Sequence, residues 1–173
     1  TIEIWSKILS KIPNSNLVLK NSVSADKNYK KYLIKKFKNK IDDNRIIILN
    51  YEKDKRKHLE QYLNIDLGLD TFPYNGVTTT FESLWMGVPV ITLKGDKFLS
   101  RCGYSINKNA CLKDFIAETK EEYVSIALNC ISSGGIETLK KLRKDLRSKI
   151  IKSPLFNIDE YTDNFVEQLK KIS

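Results

Sequence analysis

Three consecutive threonines, Thr78, Thr79 and Thr80, follow a glycine at Gly76 and precede a carboxylate at Glu82. They open a segment whose apolar residues, Phe81, Leu84 and Trp85, keep helical spacing. A helix N-terminus has unpaired backbone N–H groups and a partial positive charge, and together these attract phosphate. Hydroxyl side chains add donors there, and a glycine lets backbone come close to a ligand. On this reading Thr78 and Thr79 seat a diphosphate, and Glu82, one turn along, meets a pair of ribose hydroxyls. The same residues also fit a capping box, with Thr79 as N-cap and Glu82 three positions later. The spacing alone leaves both open.

The elements around this cluster are legible. Ile65 to Leu69 is an apolar run that ends in Asp70, and Thr71, Pro73, Asn75 and Gly76 make a loop of turn formers. Gly87 stops the helix, and Val88 to Leu93 reads as a second buried strand. Asn75-Gly76 is also a hairpin signal, but the period after it is helical, not alternating. Strand, loop, helix and strand form a βαβ unit of the kind that builds parallel sheets. Ligands of open α/β sheets bind beyond the carboxyl ends of the strands. That places Asp70 to Glu82 at the expected site.

The rest of the chain repeats the alternation. Strands are expected at about 16–20, 45–49, 65–69, 88–93 and 114–116. Helices are expected over 1–12, 25–41, 53–63, 119–131, 136–150 and from Asn157 onward, with another after the loop that begins at Gly95. Thr119 with Glu122 reads as a capping box, and Gly134-Gly135 as a chain break. The sum is an α/β fold, a Rossmann-like doubly wound parallel sheet with helices on both faces. One domain spans 1–173, closed by terminal helices over 136–173.

Composition narrows the function. The chain has 30 Lys+Arg against 21 Asp+Glu, a formal charge of +9. The densest basic run, Lys27 to Lys40, carries Tyr29, Tyr32, Leu33 and Phe37 as one apolar stripe with a solvated lysine face opposite. No RRM, KH or helix-turn-helix signature accompanies the charge, so nucleic acid is not an expected partner. No apolar run approaches the ~20 residues of a membrane span. Cys102, Cys111 and Cys130 are an odd number without a CxxC pair, which reads as free thiols in a reducing compartment and no zinc site. Glu3 and Lys7 interrupt any signal-peptide core, and the expected location is the cytoplasm. The single histidine, His58, lies on a lysine-rich helix, where a surface residue and a ligand contact are both open.

The stretch LDTFPYNGVTTTFESLWMGVPVITL resembles the signature of the O-GlcNAc transferase-like glycosyltransferases, including the SPINDLY branch. The resemblance starts at Ile12-Pro13-Asn14-Ser15, continues through Phe98 to Gly103 and closes with Ser153-Pro154-Leu155-Phe156-Asn157. It implies the C-terminal nucleotide-binding half of a two-lobed GT-B enzyme. The donor would be a nucleotide sugar, UDP-N-acetylglucosamine favoured and GDP-fucose next, with no metal cofactor. The acceptor would be a protein, held through an N-terminal lobe and tetratricopeptide repeats outside this sequence. The 173 residues alone are then expected to bind donor without transferring sugar. The family's base-binding lysine and histidine, three apart, match Lys55 and His58, and its serine-arginine pair near the donor matches Ser100-Arg101. An ordinary surface arginine is the other reading of Arg101. Three departures stand out: Val77 replaces a histidine, Glu82 an aspartate and Gln61 an arginine of the animal enzymes. The family's phosphate lysine would lie just upstream of Thr1. The alternative to a transferase lobe is a stand-alone nucleotide-binding or interaction module without catalysis.

Overall fold

Strands and helices alternate along most of the chain in the computed structural model, which describes residues 1–172. Ser173, the last residue of the expected domain, lies outside the described residues. The order is α1 (Ile2–Ser10), β1 (Leu17–Lys20), α2 (Lys27–Phe37), β2 (Ile46–Leu49), α3 (Lys55–Glu60), β3 (Gly68–Leu69) and α4 (Thr78–Trp85). Then come β4 (Val90–Leu93), α5 (Cys102–Asn109), β5 (Ile116–Ala117), α6 (Lys120–Ile131), α7 (Ser133–Ile151) and α8 (Ile158–Ile172).

Every strand pair is parallel, as the βαβ reading requires: β1 with β2, β3 with β4, and β4 with β5. The hydrogen-bonded ladders fall into two sets, β1–β2 and β3–β4–β5, where one continuous sheet was expected. The strand expected at 65–69 keeps only Gly68 and Leu69 in its ladder. The carbonyl of Ile65 instead accepts from the Arg143 guanidinium on α7 at 2.5 Å. Beyond that point the ladder is regular, with the Gly68 N–H donating to Pro89 O at 2.8 Å and the Asp70 N–H to Ile91 O at 2.9 Å.

The apolar periodicities become the core. Trp5, Ile8 and Leu9 of α1, Leu84 of α4, Ile91 of β4, Tyr123 of α6 and Leu146 and Ile150 of α7 are all buried in one cluster. Burying a large apolar side chain contributes about 1.5–3 kcal/mol, so this cluster holds the elements in place. Tyr32 departs from its expected stripe. It is exposed, with the Lys36 ammonium 4.9 Å above its ring, while Phe37 alone of α2 is buried.

Gly87 ends α4 with φ at +79°, and a Cβ there would meet the Arg143 carbonyl oxygen at 2.6 Å. Gly134-Gly135 was expected to break the chain, yet both residues lie in the first turn of α7. Ser132 caps that helix by accepting from the Gly135 N–H at 3.2 Å. A side chain on Gly135 would run into the backbone of Asn129 and Cys130, so the glycine allows α7 to start directly against the end of α6. The second expected capping box is half formed. Thr119 accepts from Glu122 N–H at 3.1 Å, but the Glu122 carboxylate takes the N–H of Glu118, not that of Thr119.

Candidate functional site

The first turn of α4 is built for an open N-terminus. Val77 is its N-cap and makes no side-chain capping bond, so the Thr79–Glu82 capping box does not form. Thr79, which the box needs as N-cap, lies two positions inside the helix. Thr78 and Thr79 are the first two helical residues, both exposed, while Thr80 is buried beneath them. The Thr80 and Phe81 N–H groups both donate to the Val77 carbonyl, at 3.0 and 3.1 Å. Among the described residues nothing accepts from the Thr78 and Thr79 N–H groups, which face outward at the positive end of the helix. Gly76 packs over this turn. A Cβ there would stand 2.7 Å from Thr79 Oγ1 and 3.0 Å from Thr80 Oγ1, so the approach needs glycine.

Asp70 fixes the loop that leads in. Its buried carboxylate accepts from the Gly76 N–H at 2.7 Å and from the Thr92 hydroxyl at 2.8 Å. Its backbone carbonyl accepts from the Tyr123 hydroxyl at 2.9 Å. Burial raises the Asp70 carboxyl to about 6, against the lowering effect of the bonds from Gly76, Thr92 and Thr71. Burial likewise pushes the Tyr123 phenol upward. Asn75, also buried, ties the loop sideways: its N–H donates to Leu99 O at 2.9 Å and its amide to Thr71 O at 2.9 Å. The Phe72–Pro73 peptide within the loop is cis. These bonds explain why Asn75-Gly76 is no hairpin turn.

His58 meets the carboxylate of α4. Its Nε2 lies 3.0 Å from Glu82 Oε2, and its Nδ1 lies 2.6 Å from Lys20 Nζ at the end of β1. Lys20 also donates to Gln61 Oε1 at 2.6 Å. The Tyr62 hydroxyl is 3.4 Å from Glu82 Oε2, and its ring stands edge-on to His58 with centroids 5.9 Å apart. Burial first, then the Glu82 charge, raises the Tyr62 phenol, so it serves as a donor and not as a phenolate. Burial lowers the Lys20 ammonium, with Glu52 and Glu82 opposing. Arg143 holds the base of this group by donating to the Tyr62 carbonyl at 2.7 Å.

Of the six residues singled out from sequence, His58, Glu82, Thr78 and Thr79 lie together on and against the first turns of α4. Arg101 stands to one side, as the N-cap of α5. It lines an open cavity of about 410 Å³ with Val77, Phe98 and Tyr104, and its guanidinium lies 5.5 Å from the Tyr104 ring centre. That cavity reaches the N-cap of α4. Lys55 opens α3 and is exposed, and among the described residues no bond joins it to His58. The lysine on the imidazole is Lys20. The only sequence signal for Lys20 is its place at the carboxyl end of a parallel strand, where ligand sites of such sheets gather. No described group of three His, Cys, Asp or Glu side chains is arranged to hold a metal ion.

Parallel strands with helices between them define a Rossmann-like α/β domain. The chain belongs to glycosyl transferase family 41, whose family model matches residues 1–165. It is 36% identical over 162 residues to the probable UDP-N-acetylglucosamine–peptide N-acetylglucosaminyltransferase SPINDLY of Hordeum vulgare, covering 93% of this chain and 17% of that protein. A UDP-N-acetylglucosamine–peptide N-acetylglucosaminyltransferase of Caenorhabditis elegans is 28% identical over 170 residues, covering 98% of this chain and 14% of that protein. Among solved structures, a mutant O-GlcNAc transferase of Thermobaculum terrenum superposes with a TM-score of 0.84 at 32% identity, covering 95% of this chain and 32% of that one. The chain therefore spans about a sixth of these two curated relatives and a third of the solved enzyme.

Proposed function

We propose that this chain is the donor-binding lobe of a protein O-glycosyltransferase that uses a nucleotide sugar. The observation that carries the reading is the pairing of two unengaged N–H groups at the start of α4 with the His58–Glu82 contact one turn inside it. A diphosphate seated on the first turn would take bonds from the Thr78 and Thr79 N–H and hydroxyl groups. Negative charge grows on those oxygens as the sugar leaves, and donors already aimed at them stabilise its departure. Glu82 accepts from a ribose hydroxyl, and the His58 side of the site faces the base. Arg101, on the far side of Val77, supplies a cation toward the sugar end. No metal is required, since helix terminus, hydroxyls and guanidinium supply the positive field.

UDP-N-acetylglucosamine is the favoured donor, in keeping with the names of the Hordeum vulgare and Caenorhabditis elegans relatives. GDP-fucose is the competing donor, because Gln61 and Glu82 depart from the animal pattern. The acceptor is a protein, engaged by parts of the enzyme beyond this lobe. A thermal-shift panel of UDP, GDP, ADP and their sugars tests the assignment, because a ligand of the native state alone raises its stability with concentration over Kd. Stabilisation by UDP and its N-acetylglucosamine conjugate is the expected result. Stabilisation by GDP and GDP-fucose alone would move the assignment to the second donor, and no shift with any nucleotide would remove the reading.

A further inference from the structure

Lys20 belongs to no part of the phosphate seat, yet it makes two short bonds at the heart of the site. It ends β1, and its Nζ lies 2.6 Å from His58 Nδ1 and 2.6 Å from Gln61 Oε1. An ammonium has three donors and no acceptor. A bond between Nζ and Nδ1 therefore requires Nδ1 to be bare, and the ring proton must sit on Nε2. Nε2 in turn lies 3.0 Å from Glu82 Oε2, where it donates. The row Lys20 to His58 to Glu82 has a single direction of donation.

That direction matters for the ligand. The bonds to Glu82 from His58 and Tyr62 both fall on Oε2. Among the described residues none falls on Oε1, which stays available to an incoming hydroxyl. The ring has little freedom to do otherwise, being half-buried and edge-on to Tyr62. Gln61 secures the other side of the ammonium, so Lys20 is held and not merely near. The charged and titratable groups facing the imidazole are Lys20 from β1, Tyr62 after α3 and Glu82 from α4, with Glu52 acting on Lys20 from the loop before α3.

We infer that Lys20 is a positioning residue: it caps Nδ1 of His58, fixes the Nε2–H tautomer and so aims Glu82 at the ribose of a bound nucleotide. The inference rests on the donor-site reading above, but its first test needs no ligand. His58 is the only histidine, so its ring nitrogens are assigned without ambiguity in a long-range proton–nitrogen spectrum. In the wild-type chain near neutral pH the spectrum shows a bare Nδ1 and a protonated Nε2. In Lys20→Met, Nδ1 loses its donor, so the neutral ring divides between its two tautomers and Nδ1 carries the proton in part. Lys20→Arg, which can still donate to Nδ1 and Gln61, keeps the single wild-type tautomer. Where the ring is neutral, the Nδ1–H tautomer has no Nε2 proton to give Glu82, so nucleotide affinity falls about tenfold in Lys20→Met and returns in Lys20→Arg. A protonated Nδ1 in wild type, or the same single tautomer in Lys20→Met as in wild type, overturns the inference. If the tautomers behave as stated while no nucleotide binds wild type or any variant, the donor-site reading fails and the tautomer assignment stands. Lys20→Leu serves should Lys20→Met fail to fold, since it too offers Nδ1 no donor.

Discussion

His58 Nε2 lies 3.0 Å from Glu82 Oε2, joining a residue before β3 to one on the helix after it. The contact turns the carboxylate of α4 from a surface charge into an oriented acceptor. One oxygen is held by imidazole and phenol, and the other takes no bond among the described residues.

Glu82→Gln tests that orientation. The amide keeps the shape of the side chain but is neutral, so a hydroxyl donating to it gains less. A hydrogen bond to a charged group contributes about 1.5–3 kcal/mol, or roughly 10- to 150-fold in affinity. Calorimetric titration should show a loss of that order for nucleoside diphosphates. Uridine or guanosine should lose a similar factor, because the change is at the ribose and not at the phosphates. An intact affinity for both would remove Glu82 from the site.

The loop before α4 should respond to pH through Asp70. Its folded-state carboxyl is raised to about 6 from an ordinary 3.8, chiefly by burial. The folded state therefore holds the proton more tightly than the unfolded chain. The stability this contributes is fully present below about 3.8 and is lost as pH rises through about 6. Urea melts of wild type and Asp70→Asn between pH 4 and 7 isolate the effect. Wild type should lose stability relative to Asp70→Asn across that window. Parallel curves would mean that Asp70 titrates normally.

How far the sequence reaches depends on what kind of relation is asked of it. The βαβ unit is legible because its signals are local: a short apolar run, turn formers, a threonine run and Gly87 as stop. The parallel pairing of all five strands follows from the same alternation. The start of α4 is readable only as two alternatives, because a capping box and an anion seat use the same residues. The observed Val77 N-cap excludes the capping box. Lys55 and His58 are singled out by a family spacing on one helix, as two residues for the base. The lysine that bonds the imidazole lies 38 residues before His58, at a strand end, where no such spacing reaches. No periodicity encodes a contact between two elements, so Lys20, Tyr62 and the Asp70–Thr92 bond emerge only from packing. Gly134-Gly135 misleads for a related reason: its lack of side chains serves the approach of two helices, not a turn.

Gly103 carries a sharper consequence than its place in α5 suggests. A Cβ there would overlap Thr92 Oγ1 and stand 2.5 Å from Asp70 Oδ2. Gly103→Ala should therefore push the hydroxyl and carboxylate apart, at a cost of about 1–3 kcal/mol, the usual range for overpacking a tight interior. Denaturant melts measure it directly. A neutral or stabilising result would show that α5 moves freely from the Asp70 bond.

The central claim is that the first turn of α4 seats a diphosphate, and Thr78→Ala tests it most directly. The Thr78 hydroxyl makes no capping bond, so the substitution should leave stability within about 0.5 kcal/mol, the range of an ordinary surface change. Calorimetric titration of UDP and GDP into wild type and Thr78→Ala, with UMP and GMP alongside, gives the decisive comparison. Wild type should bind its diphosphate more tightly than the matching monophosphate, and Thr78→Ala should lose most of that advantage with its melt unchanged. Equal affinity for mono- and diphosphates in wild type, or an undiminished diphosphate advantage in Thr78→Ala, would contradict the account.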